Sequence, residues 1–420
     1  MDLFLKLLFF FCLIPLAIAD EAVTFSAHDI RAGEGKYCSQ KSFVDIHAHA
    51  ACLDDGGKTC FVSKRMKEQR VALGLVNKYK SFFDAFGVSE DDLREKGGEH
   101  FFQHVSKKVE DSSCVQSIVL LALDGSYQFD ASEIDYENTD FVVRNDFLSE
   151  QVRPYKNLLW AASINPFRKD FREELEKAYR NGAVLIKLIP PIQGIPLKSK
   201  DTLIIERLKE YFSLVAKYNL PILVHLDEEG TFSKELEEKF GKYVGLSGIE
   251  LALEQGVTVI VAHVASRNSL EHSEEGEKSS RTYSTLLDLM KQDRYRNKLF
   301  ADISALPTIV TRDDHLCRVV KDFKGQEDRL LWGSDYPLNY WKTTSTLLVG
   351  VSCDRSYFSM TSDEGYALSS KRNQWDRGIF LQRNMGVSDR IFNNTRKFLV
   401  DRGLVEVGLD GSLRSVKREF

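Results

Sequence analysis

Short apolar runs alternate with amphipathic stretches along most of this chain. Eight such runs lie near residues 42–47, 117–123, 158–164, 183–189, 221–226, 257–263, 299–304 and 329–334. Most are nearly continuous in Val, Ile, Leu and Ala, the pattern of parallel strands covered on both faces. Between them, Phe171-Arg172-Glu173-Glu174-Leu175-Glu176-Lys177-Ala178-Tyr179, Ile205-Glu206-Arg207-Leu208-Lys209-Glu210-Tyr211-Phe212 and residues 286–290 carry apolar positions at helical spacing. Eight strand–helix units predict an α/β chain folded as a (β/α)8 TIM barrel. A doubly wound open sheet is the alternative, but no Gly-x-Gly-x-x-Gly turn follows an early strand. Residues 50–116 and 338–390 fall after the first and eighth strands, and are expected as insertions walling the C-terminal face of the barrel. Residues 64–86 inside the first read as a helical stretch, and the loops 124–140 and 271–281 as solvated charged segments.

Residues 1–19 change the picture at one end. Lys6 precedes an apolar run at 7–16, and Ala17-Ile18-Ala19 offers a small-x-small cleavage site before Asp20. This is the pattern of a signal peptide, and the run is too short to span a bilayer. The expectation is a secreted or periplasmic mature chain, residues 20–420, forming one domain with no stable membrane insertion. Six cysteines follow the leader, Cys38, Cys52, Cys60, Cys114, Cys317 and Cys353, an even number that suits disulfides in an oxidising compartment. Cys52 and Cys60 bracket a Gly-rich turn that a short bridge could close; the rest of the pairing is open. Loss of Asp2 and Lys6 with the leader keeps the net charge at -5, which argues against nucleic acid as the main partner. A small-molecule substrate is expected, and a homo-oligomer is compatible with such a chain.

Polar residues at the ends of the runs carry the chemistry. Val44-Asp45-Ile46-His47-Ala48-His49 puts two imidazoles at i and i+2, on one side of a strand. His225 closes Leu220-Pro221-Ile222-Leu223-Val224-His225, His263 closes the run at 257–263, and Asp335 follows Leu330-Leu331-Trp332-Gly333-Ser334. In a barrel these strand ends converge on one mouth. Several imidazoles and a carboxylate suit a divalent ion, zinc first, with manganese or iron as runners-up. Asp335 would touch both ion and water and accept a proton, while His263 would polarise the substrate or bind a second ion. Arg267, four residues past His263, could grip a substrate carboxylate or phosphate. Trp332 reads as barrel packing. Asp302 reads either as a support for a ligand imidazole or as a helix cap.

With Gly182-Ala183-Val184-Leu185-Ile186-Lys187-Leu188, Ala301-Asp302-Ile303-Ser304 and Trp332-Gly333-Ser334-Asp335-Tyr336-Pro337, these motifs resemble the amidohydrolase superfamily of metal-dependent barrels. The likeness runs from Phe43 to about Arg396 and is greatest to the amidohydrolase-related (amidohydrolase 2) branch, which also contains non-oxidative decarboxylases. The resemblance implies His47, His49, His225 and Asp335 as ligands of one ion and His263 as an acid–base residue. In two-ion members a carboxylated lysine bridges the ions, and Lys187 stands in its place, with His225 and His263 then on the second ion. A charged Lys187 that pairs with a carboxylate or reaches the substrate is the preferred reading. His225 is followed by Leu226-Asp227-Glu228-Glu229, unlike the small Gly-containing turn of the branch, so the resemblance does not extend to the substrate. The leading expectation is a hydrolase that turns a metal-activated water on an amide, lactone or other ester. The alternatives are a metal-dependent decarboxylase of an aromatic or unsaturated acid, and a metal-binding protein without turnover.

Overall fold

A computed structural model describes residues 38, 40–71, 76–227, 232–266, 277–306, 315–338 and 373–418. Eight strands form its centre: β1 (Phe43–His49), β2 (Val115–Leu121), β3 (Leu158–Ala161), β4 (Ile186–Leu188), β5 (Ile222–Val224), β6 (Val259–Val261), β7 (Leu299–Asp302) and β8 (Leu330–Leu331). They pair in parallel as two sheets, β1-β2-β3 and β8-β7-β6-β5-β4. Parallel bridges Ala162–Ile186 and Ala48–Tyr336 connect the edges of the two sheets. Backbone bonds beside them run from Val184 N to Trp160 O at 3.0 Å and from Asp335 N to His47 O at 2.8 Å. The eight parallel strands of an α/β chain are observed. Strand pairing alone groups them as two sheets rather than one continuous one.

The strands form because alternate residues can be buried on both faces. Ile118 and Leu120, Ile222 and Val224, and Val259 and Val261 join an apolar layer with the helices. Val119 and Leu121, Leu223, and Ile260 join a second cluster with Val44, Ile46 and Leu331. The covering helices are α1 (Glu99–Glu110), α2 (Asn145–Val152), α3 (Phe171–Arg180), α4 (Thr202–Lys217), α5 (Ile249–Glu254), α6 (Glu277–Met290), α7 (His315–Asp322), α8 (Gln374–Asn384) and α9 (Asp389–Asp401). Helix α3 shows why: Phe171, Leu175 and Ala178 fall on one stripe and are buried, with charges between them. Phe398 and Leu399 of α9, with Leu404, Val405 and Leu413 beyond it, complete the second cluster.

Several expectations need revision. Residues 64–86 are not one helix: helices Lys64–Glu68 and Lys78–Phe86 flank an antiparallel pair, Arg70–Val71 with Val76–Asn77. Asn77 starts the second helix by accepting from Lys80 N at 2.9 Å. The acidic loop 124–140 is not simply solvated, because two of its carboxylates find donors and are buried. Asp124 accepts from Asn165 N at 2.8 Å and Arg168 at 3.1 Å, and Asp140 from Ser63 Oγ at 2.7 Å, Arg65 Nε at 2.6 Å and Ser233 N at 2.8 Å. Disulfides join Cys52 to Cys60 and Cys38 to Cys114, and Cys317 is disulfide-bonded as well. The leader 1–19, Arg267, Cys353 and most of the 338–390 segment lie outside the described residues. Among the described residues, no helix is long and apolar enough to cross a membrane.

One buried carboxylate ties β1 to β8 and α8. Asp45 accepts from His47 N at 3.0 Å, Ser334 N at 2.9 Å, Trp375 Nε1 at 2.8 Å and the Ser334 hydroxyl. Removing it strands four buried donors, each costing about 1–3 kcal/mol when unpaired. Asp45→Ala should therefore lower unfolding free energy by at least about 3 kcal/mol in denaturant titration, and an unchanged midpoint would contradict this role. Burial also raises the Asp45 pKa from 3.8 to about 6, against the hydrogen bonds it accepts. Between those values the folded chain binds a proton that the unfolded chain does not, so this group's contribution to stability falls as pH rises through the window. Wild type should lose stability relative to Asp45→Asn from pH 4 to 6, and a constant difference would count against it.

Candidate metal centre

The chain turns sharply where the strands end, and those turns bring the polar residues together. His47 and His49 sit at the end of β1, Lys187 in β4, His225 just after β5, His263 two residues past β6, Asp302 at the end of β7 and Asp335 past β8. Backbone strain marks two of these places. His263, Val264 and Ala265 have φ of 53°, 46° and 53°, and Asp335 has φ of 58°. L-residues adopt this left-handed region at a cost, and a β-branched Val does so rarely. Surrounding bonds hold the turn: His263 N donates to Asp302 Oδ1 at 3.0 Å, and Ser266 Oγ to His263 O at 2.9 Å. Close packing also demands Gly333, since a Cβ there would lie 2.8 Å from His47 Cβ.

Three donors converge on one point. His49 Nε2 lies 3.0 Å and His47 Nε2 3.5 Å from Asp335 Oδ1. Two imidazole nitrogens and a carboxylate oxygen held by one ion at about 2.0–2.2 Å stand about 3.0–3.5 Å apart, so this set fits a divalent cation. His47, His49 and Asp335 form one of two groups whose ligand atoms all lie within 4.8 Å of one another among the described residues. The second group is His47, His263 and Asp302, but the Ser304 hydroxyl sits among those atoms. His225 belongs to neither group; its buried ring meets His263 edge-on at 5.2 Å. The Lys187 Nζ lies 3.0 Å from His47 Nε2, and both residues are buried. An ion on His47 requires the same lone pair, so Lys187 and the ion compete for it.

Burial and neighbouring charges shift four of these groups, His47, His263, Asp335 and Asp302. Burial, then the Lys187 ammonium, lowers the pKa of His47. Burial pushes His263 down to about 3, with the Asp335 carboxylate working against it. Burial alone would raise Asp335, but the His47 and His263 rings and the hydrogen bond from His49 outweigh it and hold the group well below the usual carboxylate range. Asp302 follows the same pattern: burial is outweighed by the His47 ring, and then by His263 and Ser304. His49 is 34% exposed, so the group opens to solvent on that side.

Sequence reasoning brought His47, His49, His263 and Asp335 to one place, and the structure does so too. It placed His225 there as the residue closing its run and Lys187 through resemblance, and both are neighbours of these rings. It gave Asp302 two roles, and the structure selects support of an imidazole: Asp302 Oδ2 lies 2.9 Å from His47 Nδ1. Trp332 is packing, buried against Phe43 and Phe392 with Nε1 donating to Gln382 Oε1 at 2.8 Å. Asp45 and Ser304 were missed. A carboxylate inside Val44-Asp45-Ile46 was the available signal, because a charge within an apolar strand needs donors.

No family model matches the chain, and no curated protein matches it. Solved structures are similar to it at low identity. A 2,6-dihydroxybenzoate decarboxylase from Rhizobium is 12% identical with a TM-score of 0.43, covering 86% of this chain and 99% of that one. A dihydroxybenzoic acid decarboxylase from Polaromonas sp. JS666, with bound manganese and the inhibitor 2-nitroresorcinol, is 12% identical with a TM-score of 0.37, covering 84% and 99%. Dihydroorotase from Campylobacter jejuni is 16% identical with a TM-score of 0.35, covering 82% of each. These structural neighbours are amidohydrolase-superfamily enzymes.

Proposed function

We propose that this chain is a metal-dependent hydrolase of the amidohydrolase type, its two sheets closing as one (β/α)8 barrel around a His/Asp centre. The convergence of His47, His49 and Asp335 on one ion-sized space carries the reading. His225 is the fourth proposed ligand, and zinc the first choice of ion, with manganese or iron behind it. An ion there supplies Lewis acidity and makes water acidic enough to ionise near neutral pH. Asp335 Oδ1 faces His49, which leaves Oδ2 to accept the proton of the attacking water. His263, whose Nε2 lies 3.9 Å from Asp335 Oδ2, is the group we propose takes that proton over or polarises the substrate. The substrate class is an amide, a lactone or another ester of a small molecule, with Arg267 as a proposed contact. The Cys38–Cys114 and Cys52–Cys60 disulfides support a secreted or periplasmic protein.

One observation favours a second reading. The buried Lys187 ammonium beside His47 could hold a substrate carboxylate, as a decarboxylase requires. The reactions separate on product: hydrolysis of lactones, amides or esters gives acid without gas, whereas decarboxylation of aromatic acids releases carbon dioxide. We expect turnover only in the hydrolytic panel, and a loss of at least about a hundredfold in kcat for Asp335→Asn, in the range of removing a general base. Carbon dioxide release would favour the second reading, and an unchanged rate would remove Asp335 from the mechanism. An ion-binding protein inactive in both panels would be a scaffold rather than an enzyme.

Elemental analysis tests the centre itself. Wild type should hold one ion per chain, and His47→Ala, His49→Ala and Asp335→Ala should each lose most of it. Lys187→Met should keep its ion, because it removes only a competitor for the His47 lone pair. Full occupancy in all three ligand variants would contradict the assignment, and a fall from two ions to one in Lys187→Met would establish the two-ion form.

A further inference from the structure

Two residues past the Asp302 carboxylate lies a hydroxyl whose bonds reach two rings from distant parts of the chain. Ser304 Oγ is 3.0 Å from His47 Nδ1 and 2.9 Å from His263 Nδ1, and it also contacts Asp302 Oδ1. All four groups are buried. We propose that Ser304 is a positioning residue which, with Asp302, fixes His47 and His263 as Nδ1–H tautomers, so that both Nε2 lone pairs face Asp335. The inference rests on the hydrolase reading for its consequence, and on hydrogen-bond geometry for its content.

The proton positions follow from which partners can only accept. His263 Nδ1 lies 3.0 Å from the Ser304 carbonyl oxygen, which has no proton to give, so Nδ1 carries the hydrogen. His47 Nδ1 faces Asp302 Oδ2 at 2.9 Å, and a carboxylate likewise only accepts. The Ser304 hydroxyl has one proton and two lone pairs. Its proton goes to Asp302 Oδ1, its strongest acceptor, and its lone pairs accept a share of both Nδ1–H groups. Asp302 Oδ1 is fixed in turn by the backbone N–H groups of His263 at 3.0 Å and Ser304 at 2.9 Å. The stacked His47 and His263 rings, 5.0 Å apart, thus share one polar anchor on the side away from Asp335.

This arrangement sets what the rings can do. With Nδ1 protonated, His47 offers Nε2 to an ion. His263 offers Nε2 as a base, which is the state a hydrolase needs before attack. A decarboxylase would instead need a proton donor at rest. The same geometry disfavours the His47, His263 and Asp302 group as a second ion site, because the Ser304 hydroxyl already meets those atoms.

The test uses metal-free full-length protein labelled with 15N-histidine, at neutral pH. Two-bond proton–nitrogen correlation spectra distinguish the tautomers, with signals assigned by His47→Gln and His263→Gln. Wild type should show the Nδ1–H pattern for both rings, and Ser304→Ala should shift the Nδ1 signals of both at once. Titration with Zn2+ alone should show affinity lowered about 10- to 100-fold in Ser304→Ala, the usual effect of removing a partner of a ligand imidazole. An Nε2–H pattern for His263 in wild type, or a Ser304→Ala spectrum in which neither or only one ring moves, overturns the proposal. The wild-type spectrum decides the tautomers even if Ser304→Ala does not fold. Wild type with both rings in the Nδ1–H form but no Zn2+ uptake would support the positioning and defeat the ion reading instead.

Discussion

The Asp302 carboxylate is the constraint on which the centre depends. It is fully buried, and desolvation of a lone charge would force it to protonate or to leave the interior. It remains ionised because four donors surround it: the His47 ring, the Ser304 hydroxyl and the backbone N–H groups of His263 and Ser304. Those donors belong to β1, to the turn after β6 and to the end of β7. Satisfying one charge therefore fixes three chain segments and the rotation of an imidazole.

Asp45 does the corresponding work on the other side. It accepts from the backbone of His47 and Ser334, so it sets the spacing between the end of β1 and the segment that presents Asp335. Trp375 of α8 donates to the same carboxylate, and Tyr336 stacks on Trp375 with ring centroids 5.1 Å apart. The Tyr336 hydroxyl then donates to Phe86 O at 2.7 Å, which brings the segment between β1 and β2 against the residue following Asp335. Distant parts of the chain are thus recruited to hold one carboxylate in a left-handed backbone conformation.

Much of this was legible in the sequence. The eight strands appear where the apolar runs lie, because a strand buried on both faces cannot hide its composition. His47, His49, His225, His263 and Asp335 stood out because each is a ligand-type residue at the end of a run. Less legible were features that depend on contacts distant in sequence. Nothing local shows that Asp124 and Asp140 would find Arg168 and Arg65, so their loop read as solvated. Ser304 is a common residue near a strand end, and only the arrival of two imidazoles, from β1 and from the turn after β6, gives it meaning. The break between the helices at 64–68 and 78–86 was hidden by charged and apolar residues that fit a helix pattern throughout.

Anomalous diffraction from a crystal soaked in Zn2+ tests the central claim most directly. The account predicts a strong peak about 2.0–2.2 Å from His47 Nε2, His49 Nε2 and an Asp335 oxygen, with Lys187 Nζ displaced from His47. A peak elsewhere, or none while Lys187 keeps its 3.0 Å contact with His47, would contradict it.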